Sequence, residues 1–246
     1  MRVIVRTHGG LGNQIFQLFY ARLFASQNRA LLFEVHDLRY PLAFRRSEEL
    51  SQNPAPHGVR KILSSLRLPK IMDRLKKGRN HVRIFDTVYL DGYFQRKEDY
   101  VAFSDKMIRD ELLRLRSELG ISSTPTRDHG VHLRMGDFFT TEATLMEHLT
   151  VRLARMRVGA DIITNEETRL ATPAVRAALA AVGAQVIPTG NMSAEDVLRT
   201  LATFKEVDGN DSTLLFWASV LSGMVCDFKT VELRDLRSRF SDALKY

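Results

Sequence analysis

The stretch Gly130-Val131-His132-Leu133-Arg134-Met135-Gly136-Asp137-Phe138-Phe139 decides how the chain reads. It predicts a short strand, Val131 to Arg134, that runs into a glycine turn and leaves His132, Arg134 and Asp137 near one strand end. Side chains alternate across a strand, so His132 and Arg134 share one face and Leu133 takes the other. In an open α/β sheet the carboxyl ends of the strands border the ligand crevice. An arginine there suits phosphate, because its planar fork donates two charge-assisted hydrogen bonds side by side. The same residues also read as a surface arginine paired with Asp137 beside an ordinary turn. Three polar residues in six do not separate the two readings.

Outward from that stretch the second half of the chain alternates strand and helix. A helix is expected from about Glu142, with Thr141 as its N-cap. Ile162-Ile163-Thr164 reads as a strand, and Thr172-Pro173 caps the next helix, with proline at its first position. Gln185-Val186-Ile187 is another strand, and Ser193-x-x-Asp196 resembles a capping box. Val207 to Thr213 reads as a polar turn before an apolar helix, Leu214 to Leu221. Met224-Val225-Cys226 is expected as a last strand and Val231 to Leu244 as a final helix. Such alternation predicts a parallel sheet covered on both faces.

The first half begins the same way. Val3 to Val5 is a short apolar run before Gly9-Gly10-Leu11-Gly12-Asn13-Gln14. After it Ile15, Phe16, Leu18, Phe19, Leu23 and Phe24 recur at helical spacing, so the order is strand, tight turn, helix. Glycines let a ligand approach the backbone, and the helix start offers free N–H groups to anions. Leu31-Leu32-Phe33 reads as a strand ending in Glu34, where a ribose-binding carboxylate would stand. Arg39 to Pro56 is polar and irregular, and Val59 to Lys77 is a basic amphipathic pattern split by Pro69. Ile84 to Leu90 alternates like one strand and leads into Asp91-Gly92-Tyr93-Phe94-Gln95. Lys97 to Leu119 reads as one long helix with Tyr100, Val101, Met107, Ile108, Leu112, Leu115 and Leu119 as its buried stripe, and Gly120 suits its stop. The polar stretch Ser122 to Asp128 is expected as the domain boundary, giving 1–125 and 126–246.

The totals narrow the class. The chain has 246 residues, and 44% of them are apolar, enough for a sizeable core and too many for disorder. Cys226 is the single cysteine, so an internal disulfide is impossible and a reducing compartment fits. No run approaches the roughly 18 apolar residues of a membrane span, and Met1 to Arg6 is too short an apolar start for a secretion signal. A cytoplasmic protein, or one held at a membrane surface, is the expectation. The formal charge is +7, and between Arg60 and Arg83 nine Lys and Arg face the single acid Asp73. That block could meet nucleic acid, an anionic lipid surface or an acidic substrate, or be only the solvated face of a helix.

Two Rossmann-like halves would set the glycine-rich turn across a cleft from the strand ends of the second half. Asn13, Arg134, Asp137, Asp208, Ser212 and Thr213 could line it, and a helix start at Ser212 and Thr213 favours an anion. The arrangement suits a nucleotide diphosphate. A Gly-x-x-x-x-Gly-Lys-Ser/Thr loop is missing, which argues against a P-loop ATPase. Clustered Cys and His are missing too, so a metal site is not supported. Without Gly-x-Ser-x-Gly a hydrolase elbow is not supported either. His8 either lines the cleft or merely precedes the turn, and Tyr93 or Gln95 could stand near an acceptor. Phe216 and Trp217 read as core.

Four segments occur together and in order: His-Gly-Gly-Leu-Gly-Asn-Gln-Ile-Phe-Gln (8–17), Leu-Asp-Gly-Tyr-Phe-Gln (90–95), Val-His-Leu-Arg-Met-Gly-Asp-Phe (131–138) and Asn-Asp-Ser-Thr-Leu-Leu-Phe-Trp-Ala (210–218). Together they resemble the bacterial α-1,2-fucosyltransferases of glycosyltransferase family 11, and more distantly the wider fucosyltransferase superfamily. The resemblance implies an α/β fold of GT-B type, with two Rossmann-like domains facing a central cleft. It implies GDP-fucose as co-substrate, a glycan acceptor, inversion at the anomeric carbon, no metal and no other cofactor. By the same resemblance Arg134 binds the donor diphosphate and stabilises the charge growing on departing GDP. His132 and Asp137 shape that pocket, with Asn13, Gly10, Gly12 and Gln14 across from it. Asp208, Asn210, Ser212 and Thr213 hold the nucleotide. A base must deprotonate the acceptor hydroxyl, and the carboxylates close after Arg134, Glu142 and Asp137, are its candidates. The superfamily commonly has a second arginine where Met135 stands.

Three rival readings follow from single features. Glu34 and the glycine turn suit an NAD-dependent Rossmann oxidoreductase, although Gly-Gly-x-Gly is a poor match to Gly-x-Gly-x-x-Gly. The basic stretch 60–83 suits nucleic acid but lacks interleaved aromatics, so none is expected; it also suits peripheral contact with a membrane face and a lipid-linked acceptor. Met135 suits a degenerate homologue that binds a nucleotide without turning it over.

Overall fold

The computed structural model describes residues 1–37, 40, 80–133, 141–153, 159–165 and 167–245. Arg134, Met135, Asp137 and the basic stretch from 60 to 79 lie outside them, and so does the helix expected over Val59 to Lys77. Of Glu142 only the backbone is described.

The chain forms two compact units, one of residues 1–115 with 235–246 and the other of 116–234. The first is built round a four-stranded sheet. Strand β1 (Arg2–Thr7) pairs in parallel with β2 (Leu31–His36) on one side and with β4 (Thr87–Leu90) on the other. Strand β3 (His81–Ile84) closes the far edge antiparallel to β4, giving the order β2-β1-β4-β3. Val3, Ile4 and Val5 are buried because parallel strands are covered on both faces. Helix α1 (Leu11–Gln27) follows β1 directly and buries Ile15, Phe16, Phe19 and Leu23.

Several expectations change here. The single strand over Ile84 to Leu90 is the hairpin β3–β4, whose two-residue turn has Phe85 at φ 52°. The long helix from Lys97 is a 3₁₀ turn (Lys97–Tyr100) and then, after a break, α2 (Asp105–Leu119). Ser104 makes the break: its hydroxyl accepts from Met107 N–H and its carbonyl from Ile108 N–H. Val101 therefore leaves the buried stripe and is 71% exposed.

The second unit holds a fully parallel sheet in the order β7-β6-β5-β8, made of β5 (Arg127–Leu133), β6 (Asp161–Thr164), β7 (Gln185–Pro188) and β8 (Phe204–Gly209). This is the strand order 3-2-1-4 of a dinucleotide-binding fold. The helices are α3 (Glu142–Leu153), α4 (Pro173–Ala181), α5 (Ala194–Leu201) and α6 (Thr213–Ser222). Thr141 Oγ1 accepts from Thr144 N–H and Ser193 Oγ from Asp196 N–H, so those two caps form, whereas Thr172 stands at the N-cap of α4 without a side-chain capping bond. Val131, Leu133, Leu145, Ile162, Val175 and Leu179 share one buried cluster. Phe216 and Trp217 are fully buried in α6.

Two strand expectations change as well. Val207 to Gly209 lie in β8 and not in a turn, while Met224 to Cys226 make one isolated bridge, Val225 with Glu206. The units divide between Leu115 and Arg116, inside α2, and not near residue 125. Helix α7 (Val231–Ala243) returns the chain to the first unit, where Phe240 packs edge-on to Tyr100 at 4.9 Å and against Phe19 at 5.2 Å. Arg239 also pairs there with Asp105.

Candidate functional site

Each sheet has one place where the strand order reverses. In the first unit it lies between β1 and β4, and in the second between β5 and β8. Ligand crevices form outside the carboxyl ends of strands at such points. The four segments that carry the sequence resemblance fall on these four strand ends. Residues 8–17 follow β1, 90–95 follow β4, 131–138 begin in β5, and 210–218 follow β8.

At the first point the chain turns sharply from β1 into α1. Gly9 has φ 80°, and a Cβ there would come within 2.8 Å of Asn13 Nδ2, so only glycine fits. Gly10 is the helix N-cap at φ −69°, has no side-chain capping bond, and its carbonyl accepts from Asn13 and Gln14 N–H. Gln14 is buried and ties the turn by donating to Gly9 O at 2.7 Å. Gln17 accepts His8 N–H at 2.8 Å. Gly12 is buried in the first turn of α1.

Asn13 Oδ1 accepts a 2.9 Å hydrogen bond from Gln95 Nε2. Gln95 reaches it because Phe94 holds a left-handed backbone, φ 50°. A non-glycine residue at that φ costs about 1–3 kcal/mol and needs surroundings that enforce it. Phe94 is 2% exposed, stacks on Tyr20 at 4.0 Å, and its carbonyl accepts from Tyr100 Oη at 2.8 Å. Burial pushes the Tyr100 hydroxyl well above the usual tyrosine range, helped by Asp99, so it stays a donor.

Beside this turn stand charged groups. Arg6 Nη2 meets Asp37 Oδ2 at 2.7 Å, and Arg6 Nη1 faces Asp91 Oδ2 at 3.7 Å. Asp91 Oδ1 faces His8 Nε2 at 3.6 Å, and the Tyr93 ring sits edge-on to His8 at 5.0 Å. Glu34 is not open to a ribose. It is 7% exposed and accepts from Thr7 Oγ1 at 2.7 Å.

The second point is furnished differently. His132 is 7% exposed and lies opposite Gly209 in the β5–β8 register. A Cβ on Gly209 would meet Leu215 Cδ2 at 2.8 Å and His132 O at 3.1 Å, so the glycine permits the close approach of β8 to β5 and α6. Asp208 is half-buried in β8 opposite Val131. Asn210 is buried, and Ser212 Oγ caps α6 by accepting from Leu215 N–H at 3.1 Å. Thr213 is the first residue of α6. Asp211 serves structure: it accepts from the Lys229 and Thr230 backbones and from the Thr230 hydroxyl. Burial pushes its carboxyl up, yet these hydrogen bonds win and hold it below the usual carboxylate range.

The structure thus brings Gly10, Gly12, Asn13 and Gln14 together at one switch point, and His132, Asp208, Asn210, Ser212 and Thr213 at the other. Arg134 and Asp137 lie outside the described residues, and for Glu142 only the start of α3 is placed. Sequence reasoning missed Gly9, Gln17, Arg6, Asp37 and Asp91 as site residues. Gly9 stood in the glycine run, but its positive φ belongs to the turn from β1 into α1, which spacing does not reveal. Among the described residues no helix is long and apolar enough to cross a membrane.

A comparison with protein-family models finds no match, and neither does one with curated proteins. Among solved structures the chain is similar to the α-1,6-fucosyltransferase NodZ co-crystallised with GDP, at 17% identity and a TM-score of 0.48 over 89% of this chain and 91% of that one. Fucosyltransferase NodZ from Bradyrhizobium gives 16% identity and 0.47, over 89% and 92%. POFUT1 in complex with GDP-fucose gives 10% identity and 0.47, over 94% and 99%. These are loose likenesses.

Proposed function

We propose that the chain is an inverting glycosyltransferase that takes the sugar of a GDP-sugar, GDP-fucose first among them, to a hydroxyl of a glycan. The observation that supports this best is placement. The four segments that resemble glycosyltransferase family 11 stand at the four strand ends that flank the two switch points.

The second unit is the donor side. A buried strand end, the α6 N-terminus, and the Ser212 and Thr213 hydroxyls suit a nucleotide diphosphate. Arg134 would hold the diphosphate and stabilise the charge on departing GDP. His132, Asp137, Asp208 and Asn210 would complete that pocket. The first unit is the acceptor side, where Asn13 would offer its Nδ2 donor while Gln95 fixes its Oδ1. The linkage that the resemblance implies is α-1,2. The basic stretch 60–83 would hold a lipid-linked acceptor at a membrane face.

Thermal stabilisation by GDP, UDP, CMP, ADP and NAD tests this reading, with Arg134→Ala as control. A ligand selective for the folded state adds RT ln(1 + L/Kd), about 2.7 kcal/mol at a hundred times Kd, where L is free ligand. GDP alone should raise the midpoint, and Arg134→Ala should lose the rise. A rise with NAD and none with GDP would refute the proposal.

A further inference from the structure

The reaction needs a group that takes the acceptor proton, and the resemblance points to the carboxylates after Arg134, Asp137 and Glu142. We propose instead that His8 is the general base, oriented by Asp91. This inference rests on the glycosyl-transfer reading above.

His8 follows β1 directly, and Asp91 follows β4, on the two strands that flank the first switch point. The backbone N–H of His8 is pinned by Gln17, so the residue cannot swing away with the loop. Its Nε2 faces Asp91 Oδ1 at 3.6 Å, a separation that a modest closure turns into a hydrogen bond. Nδ1 has no partner among the described residues and is the nitrogen left to accept a proton. The two oxygens of Asp91 are divided, Oδ1 toward His8 and Oδ2 toward Arg6. Arg6 in turn is held by Asp37. Among the described residues, Asp91 and Tyr93 beyond β4 and Tyr40 beyond β2 face His8, and Arg6 on β1 faces the other oxygen of Asp91. Glu34 and His36 on β2 are engaged with Thr7.

The His8 side chain is 14% exposed, so solvent reaches it. Tyr93 stands edge-on to it and is 49% exposed, an open aromatic face against which an acceptor sugar can rest. In the step itself the acceptor oxygen attacks the anomeric carbon as the bond from that carbon to the β-phosphate oxygen breaks. The bonding pair leaves on GDP. The acceptor proton passes to His8 Nδ1, the imidazolium is stabilised by Asp91 through Nε2–H, and the proton then goes to solvent.

The test measures GDP release from GDP-fucose, with water or lactose as the acceptor, across pH. His8→Gln, Asp91→Asn, Glu142→Gln and Asp137→Asn are compared with the wild type, and GDP-dependent stabilisation is read beside them. A base must be neutral to accept a proton, so wild-type kcat/KM falls on the acid side. His8→Gln should lower kcat by about a hundredfold or more, abolish that acid limb and leave GDP stabilisation intact. Asp91→Asn should cost less and displace the limb. The proposal is overturned if His8→Gln keeps both rate and limb, or if Glu142→Gln or Asp137→Asn abolishes the limb instead. A wild type that binds GDP and releases none overturns the base but not the nucleotide reading. One that neither binds nor releases GDP removes both.

Discussion

The two switch points share a plan and differ in equipment. Both lie where parallel strands diverge to opposite sides of the first strand of their sheet. The β1–β4 end is crowded with ionisable groups, Arg6, His8, Asp37 and Asp91, beside an amide pair, Asn13 and Gln95. The β5–β8 end offers, among the described residues, one carboxylate, Asp208, with the imidazole of His132, the Asn210 amide, two hydroxyls and a helix N-terminus. Ionisable groups held near one another suit proton transfer, whereas N–H groups and hydroxyls suit a bound anion. On the proposed reading, one topology, used twice, would serve acid–base work in one unit and nucleotide holding in the other.

The contrast can be broken at either end. Phe94→Ala removes a buried ring and its stack on Tyr20, and should cost about 3–5 kcal/mol in denaturant titration. By calorimetry it should leave GDP affinity of the folded protein within a few-fold. A loss of GDP binding equal to that of Arg134→Ala would erase the division of labour. Gly209→Val drives carbon into Leu215 and the His132 carbonyl, and should cost about 1–3 kcal/mol and abolish GDP-dependent stabilisation. Ser212→Ala removes the α6 cap, at about 1 kcal/mol. It should weaken GDP binding and leave the pH profile of turnover unchanged.

The smallest effect is a slope. Asp211 titrates lower in the folded protein than in the unfolded chain. Its contribution is therefore complete above the unfolded carboxylate range, about pH 4, and fades as pH falls through the folded value. Asp211→Asn should flatten the acid-side decline of stability. An unchanged slope in acid denaturation would show that the Thr230 contacts do not persist in solution.

Much of the fold was legible because its signals are local. Apolar runs near Val3, Leu31, Val131 and Ile162 gave strands, and Thr141 and Ser193 gave helix starts. Strand β8 escaped because Phe204-Lys205-Glu206-Val207-Asp208-Gly209 carries three charges and ends in glycine, and the sheet overrides that weak propensity. The β3–β4 turn escaped because Phe85 is not a residue that favours positive φ. The break before α2 was present in the sequence as Ser104 followed by Asp105, an N-cap with an acid in the first turn. The site divided in the same way. Asn13, His132 and Ser212 stand inside recognisable segments, whereas Arg6, Asp37 and Asp91 meet only through β-sheet register across many residues.

The return of α7 to the first unit bears on how the chain is made. Residues 116–234 are contiguous, so the second unit is complete as soon as its own stretch has left the ribosome. The first unit has to wait, because Phe240 seats against Phe19 and Tyr100, which were synthesised long before it. Vectorial synthesis therefore supplies the last residue of the later unit before that of the earlier one, and a chain cut after residue 234 would leave Phe19 and Tyr100 without Phe240.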